Sequence, residues 1–183
     1  MNHSERTIQY HLYLFLNADV ILPNTILYGL REMDLMAIMN SGYVYEYEIK
    51  TSRSDYSRDF REKRFKHRVM NGLYNGEESD WKRHVANRFW FATPPGLARD
   101  VPDYAGLVEV EMQNSNKVQI IKKAPLLHRE KITQKQLMKA YKRLMYPYWQ
   151  NRIKVMLRIA ELKIKAYGLK DTPEEKEMYK ETP

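Results

Sequence analysis

The chain has 183 residues, 31 Lys and Arg against 23 Asp and Glu, a formal net charge of +8 and no cysteine. Disulfides, thiolate metal sites and cysteine nucleophiles are therefore excluded. No apolar run is long enough to span a bilayer, and the polar residues 1–6 carry no signal-peptide pattern, so a cytoplasmic protein with no membrane partner is expected. The charge is uneven: residues 113–170 hold fifteen Lys and Arg against two Glu, and the remainder is slightly acidic. A basic, tyrosine-rich protein favours a polyanionic partner. The length suits one domain with an appended helical piece, and no internal repeat is visible.

In chain order, residues 4–17 read as a first helix. Ser4 can cap it, Glu5 sits in its first turn beside the positive end of the helix dipole, and Ile8, Leu12, Phe15 and Leu16 form an apolar stripe. A first strand is expected over residues 25–28, with Gly29 in the turn after it, because Pro23 restricts the preceding residues to an edge or a break.

Residues 33–50 carry the main signal. Two apolar runs flank Asn40-Ser41-Gly42, the pattern of a β-hairpin. A three-residue loop sets Met39 opposite Tyr43, and therefore Asp34 opposite Glu48 and Glu32 opposite Lys50. Alternation then puts Asp34, Glu48 and Lys50 on one face. The other face carries Met33, Leu35, Ala37, Met39, Tyr43, Tyr45, Tyr47 and Ile49. Directly opposed carboxylates repel. A divalent cation with hard oxygen ligands, Mg2+ or Mn2+, relieves that repulsion, and Lys50 lies within reach of a group bound there. In outline this is an arrangement for cleaving phosphodiesters.

Ser54 can cap a helix over residues 55–69 that ends before Asn71-Gly72. Asp55 and Asp59, one turn apart, read as a solvated first turn. The run 61–68 is strongly basic and follows the hairpin site directly, which makes Lys63, Lys66 and Arg68 candidates for phosphate contact. Residues 71–80 read as a loop, residues 87–92 as an aromatic-rich buried strand, and residues 106–111 and 117–121 as two strands joined by Asn114-Ser115-Asn116. Thr133 begins an amphipathic helix with Leu137, Tyr141 and Leu144 on its apolar side. Pro147 kinks or divides it, and a second stripe through Ile153, Met156 and Ala160 ends at Gly168. Residues 171–183 are acidic and read as a flexible tail.

This order of elements resembles the restriction-endonuclease-like core of the PD-(D/E)XK nuclease superfamily, carried by Asp34 and by Glu48-Ile49-Lys50. A closer resemblance is to the MmcB-like DNA-repair proteins and their phage-encoded relatives. It rests on Glu48-Ile49-Lys50 followed by Ser52 to Phe60, on Lys66-His67-Arg68, on residues 87–94 and on residues 101–107. The stretch 61–87 looks longer than in those proteins. The resemblance implies an α/β fold, a mixed sheet flanked by helices over residues 1–125, here followed by a basic helical extension (126–170) packed on the core. It implies Asp34 and Glu48 as metal ligands, with the Ile49 carbonyl as a further one, and Lys50 as the residue that orients water or stabilises developing charge. The expected function is a metal-dependent nuclease acting on DNA in repair, recombination or phage DNA processing. The alternative is a non-catalytic nucleic-acid-binding accessory protein that keeps the fold.

Overall fold

A computed structural model describes residues 4–28, 32–73, 84–111 and 117–167. The expected turns at Gly29 and Asn114–Asn116, most of the 71–80 loop, the helix end at Gly168 and the 171–183 tail lie outside the described residues. The chain divides into two units, Met1–Ala140 and Tyr141–Pro183. The first is an α/β unit around a six-stranded mixed sheet, and a long helix begins in it and continues into the second.

Helix α1 (Glu5–Phe15) starts where Ser4 accepts from the Thr7 N–H, and it buries Ile8 and Leu12. Strand β1 is Val20–Thr25, upstream of the expected 25–28 segment. Among the described residues it pairs only with β2 (Met33–Ile38), and Pro23 is tolerated because β1 is an edge strand of the sheet. β3 (Val44–Ile49) completes the hairpin in the expected register: Leu35 faces Tyr47, Ala37 faces Tyr45 and Ile38 faces Val44. Gly42, at φ 80°, supplies the left-handed turn residue. Met33 departs from the expected face. It packs with Leu22 and Leu27, in the cluster that also holds Met36, rather than with Leu35.

The chain then forms α2 (Arg53–Glu62) and α3 (Arg64–Met70). The one expected helix is thus two, broken at Lys63, and its cap is Ser52 rather than Ser54: the Ser52 hydroxyl accepts from the Asp55 N–H at 3.2 Å. β4 (Arg88–Thr93) lies parallel to β3, and β5 (Ala105–Glu111) lies parallel to β4. β6 (Lys117–Lys122) closes the sheet antiparallel to β5, giving the spatial order β1-β2-β3-β4-β5-β6.

Both sheet faces are covered. On one side Leu35, Ala37, Tyr47, Ile49, Trp90 and Val108 pack with Ile8 and Leu12 of α1. On the other, Phe89, Phe91 and Leu107 pack with Val69 and Met70 of α3 and with Tyr56 and Phe60 of α2. Gly106 permits one close approach: a Cβ there would stand 2.4 Å from the Trp90 ring and 2.6 Å from the Ala124 nitrogen. The fully buried Asn87 ties distant segments together. Its carbonyl oxygen accepts from Val44 N–H at 2.7 Å, and its amide donates to the carbonyls of His128 (3.0 Å) and Glu130 (2.8 Å).

Helix α4 is Gln134–Tyr167, a single helix that contains Pro147 where a division was a possibility. A reciprocal cap starts it. The Thr133 hydroxyl accepts from the Gln136 N–H, and the Gln136 side chain accepts from the Thr133 N–H. Leu137 and Ala140 join the cluster around Leu22, Met36 and Val44. Among the described residues, no helix is long and apolar enough to cross a membrane.

Candidate active site

Alternation along β3 sends Tyr45, Tyr47 and Ile49 toward α1, and sends Glu46, Glu48 and Lys50 toward α2 and α3. All three of the latter are buried, with Glu48 fully enclosed. The helices answer with Asp59, Lys63, Lys66 and His67, which lie at positions i, i+4, i+7 and i+8 on the face turned to the sheet. The result is an interleaved cluster of three carboxylates and three ammonium groups.

Glu48 is its centre. One oxygen, Oε1, accepts from Lys50 Nζ at 2.8 Å and also from Lys63 Nζ. The other, Oε2, accepts from Lys66 Nζ at 2.6 Å. Lys66 also reaches Glu46 Oε1 at 2.5 Å. Lys50 spans to Asp59 Oδ1 at 2.7 Å, and Lys63 to the same oxygen at 3.2 Å. The second Asp59 oxygen meets His67 Nε2 at 2.8 Å, and His67 Nδ1 meets the Tyr104 hydroxyl at 2.6 Å. A continuous buried chain thus runs Glu48–Lys50–Asp59–His67–Tyr104. Its walls are aromatic: Phe60 stacks on His67 at 4.7 Å, and Lys66 lies 5.1 Å above the Phe89 ring. In such dry surroundings charge pairs are strong and unpaired charges costly.

These neighbours set the protonation states. Burial acts to raise the Glu48 carboxyl, but the ammonium groups of Lys66 and Lys63 outweigh it and hold Glu48 below the usual range. Burial dominates at Glu46, whose carboxyl is raised although Lys66 opposes it. Asp59 is held well below its ordinary value: burial is overcome by the bonds from His67 and Lys50. Lys50 and Lys66 are held above theirs, the carboxylates around them outweighing burial, so both stay charged.

Asp34 stands beside this cluster on β2. Its Oδ2 accepts from the Ile49 N–H at 2.7 Å, one residue past the Glu48 that the expected register sets opposite it. Gln9 of α1 holds its backbone, donating to the Asp34 carbonyl at 2.8 Å and also to Asn24 and Glu5. Burial, followed by the Glu48 charge, pushes the Asp34 carboxyl up to about 7, against the lowering effects of the Ile49 N–H and Lys63.

The structure therefore brings Asp34, Glu48, Ile49 and Lys50 together. It separates the expected phosphate-contacting residues. Lys63 and Lys66 turn inward onto Glu48, because an enclosed carboxylate needs them more than solvent does, while Arg68 stays exposed on a shallow pocket with Phe60, Arg64, Phe65, His67 and Asn71. Asp59, expected on a solvated first turn, is buried at 3 % exposure. Glu46, Asp59, His67 and Tyr104 are site residues beyond those the sequence suggested. Glu46 had a signal, since it lies two residues before Glu48 on the same face.

Among the described residues no cluster of three or more Asp, Glu, His or Cys side chains is poised to hold a metal ion. The hard-oxygen donors Asp34 and Glu48 fit a divalent cation in kind, and the Lys63 ammonium occupies the cationic place against Glu48.

No protein-family model matches the chain, and no curated protein matches it. A solved structure, the SPO1766 protein of unknown function from Silicibacter pomeroyi, is similar at 17 % identity with a TM-score of 0.49, over 85 % of this chain and 89 % of that one.

Proposed function

We propose that the protein is a metal-dependent nuclease that hydrolyses DNA phosphodiester bonds, in repair, recombination or phage DNA processing. The observation that carries this reading is the placement of Asp34 against the Glu48-Ile49-Lys50 segment of the adjacent strand, its carboxylate accepting from the Ile49 N–H at 2.7 Å. Asp34 and Glu48, with the Ile49 carbonyl, are the residues that would hold Mg2+ or Mn2+. When bound, the ion supplies the positive charge that polarises a phosphate and acidifies water.

The chain's own residues do the rest. Lys50 remains an ammonium group, so it serves by stabilising negative charge on the phosphate and not by taking a proton. Asp59 holds the Lys50 amine from the side opposite β2 and β3 and is itself fixed by His67 and Tyr104. One observation favours the non-catalytic alternative: both Glu48 oxygens are already taken by lysines.

Cleavage of linear, circular, branched and single-stranded DNA with Mg2+ or Mn2+ tests the proposal. The wild type is expected to cut at least one of these, and Lys50→Ala and Asp34→Ala to lose cutting. No metal-dependent cleavage of any of them, or full activity in both variants, sinks it. DNA binding without cleavage would favour the accessory role.

A further inference from the structure

Helix α4 leaves an apolar surface that a folded monomer does not ordinarily display. Beyond Ala140, Tyr141, Met145, Tyr148, Val155, Ile159 and Leu162 are between 40 % and 58 % exposed. Their spacing is informative. With Arg152 included, they follow four, three, four, three, four and three residues, so they form one stripe along the helix, of the kind that a paired helix covers. Every other Lys and Arg between Tyr141 and Leu162 falls off this seam. So does Pro147, whose ring and missing N–H then point away from a partner.

Size agrees with the spacing. Six seam side chains plus Leu144, Trp149 and Met156 beside it, each about half exposed, leave roughly 900 Å2 of apolar surface, taking ~200 Å2 for each whole side chain. The largest patch on a typical monomer is about 300–600 Å2, and stable interfaces bury about 800 Å2 per partner.

We infer that α4 is the dimerisation element of this protein, pairing antiparallel with α4 of a second copy. Self-complementarity selects the occupant. With the two-fold axis at Gln150, Met145 meets Val155 of the second copy, Tyr141 meets Ile159, and Leu162 meets Met138. Arg152, the one charged seam residue, meets Tyr148. A parallel pair would instead set Arg152 against Arg152 in one buried layer, where like charges repel. Within one helix Arg152 already makes contacts of the kind this layer needs: its guanidinium donates to the Tyr148 hydroxyl at 3.3 Å and lies 5.9 Å over the Trp149 ring.

Light scattering and sedimentation velocity at micromolar concentration test the pairing. The full chain is expected at twice its mass of 22.0 kDa. The double variant Val155→Asp/Ile159→Asp is expected to be monomeric, with the thermal unfolding of the α/β unit retained. Because the chain has no cysteine, orientation can be read by oxidation. Met145→Cys alone should stay uncross-linked, whereas Met145→Cys/Val155→Cys should form a covalent dimer. A wild-type monomer overturns the inference, including one that sediments only with anionic vesicles or with DNA. A dimer indifferent to Val155→Asp/Ile159→Asp overturns it as well, and efficient cross-linking of Met145→Cys alone overturns the antiparallel arrangement.

Discussion

Lys66 places its ammonium 2.6 Å from Glu48 Oε2, so a side chain from the basic helical run seals the carboxylate at the centre of the candidate site. The same ammonium is the partner of Glu46. Removing it leaves two buried carboxylates short of positive charge. Lys66→Met is therefore expected to destabilise the protein by about 3–5 kcal/mol, the usual cost of breaking a buried ion pair from one side. Urea unfolding measures this, and adding Glu46→Gln to Lys66→Met should return part of the loss. A single variant as stable as the wild type would show that Lys66 is not needed to neutralise the cluster.

Lys63 is the more exchangeable of the two, at 19 % side-chain exposure against 4 % for Lys66. It sits at the α2–α3 break, where its ammonium competes with any cation for Glu48. Lys63→Ala is expected to bind Mg2+ or Mn2+ more tightly than the wild type, by several-fold in calorimetric titration. Weaker binding in the variant would mean that Lys63 assists the metal instead of displacing it.

Asp34 makes stability depend on pH in a defined direction. Its folded carboxyl, raised to about 7 from 3.8, binds a proton more tightly than the unfolded one. The corresponding stability is present in full below 3.8 and is lost as pH rises through about 7. In metal-free buffer the melting temperature of the wild type should fall across this window by more than that of Asp34→Asn. Equal slopes would show that the carboxyl titrates normally.

Asp59 is a positioning residue for Lys50 under the proposed function. Asp59→Asn removes one of the two charges that fix the amine, and a displaced catalytic group can lower the rate by up to about 10²-fold. The expected signature is a lower kcat with KM nearly unchanged, together with a shifted 15N resonance of the Lys50 amine. A rise in KM alone would place Asp59 in substrate binding.

The hairpin was legible because two independent constraints agree: the Asn40–Gly42 turn and the alternation on either side of it predict the pairing found between Leu35 and Tyr47. α1, β4, β5 and β6 were legible from caps, periodicity and β-branched or aromatic runs. β1 was displaced because Pro23 counts against a strand only where its missing N–H would be needed. The polar half of the site was hidden for a physical reason. Asp59, Lys63, Lys66 and His67 form a helical stripe of polar residues, and a stripe that faces buried carboxylates has the same spacing as one that faces water. Only the tertiary placement of Glu46 and Glu48 beneath it separates the two cases. Tyr104 joins through a loop contact 37 residues away from His67, which no local pattern encodes.

Asn87 carries a consequence for how the chain is tied together. Val44 and Glu130 each lie 43 residues from it, in opposite directions along the chain, and both are bound by its one side chain. A single amide thus closes two long loops. Closing loops of this length is entropically slow. The segment around His128 and Glu130, which leads into α4, is tied to β3 through the side chain of Asn87, and replacing that one amide opens both closures together.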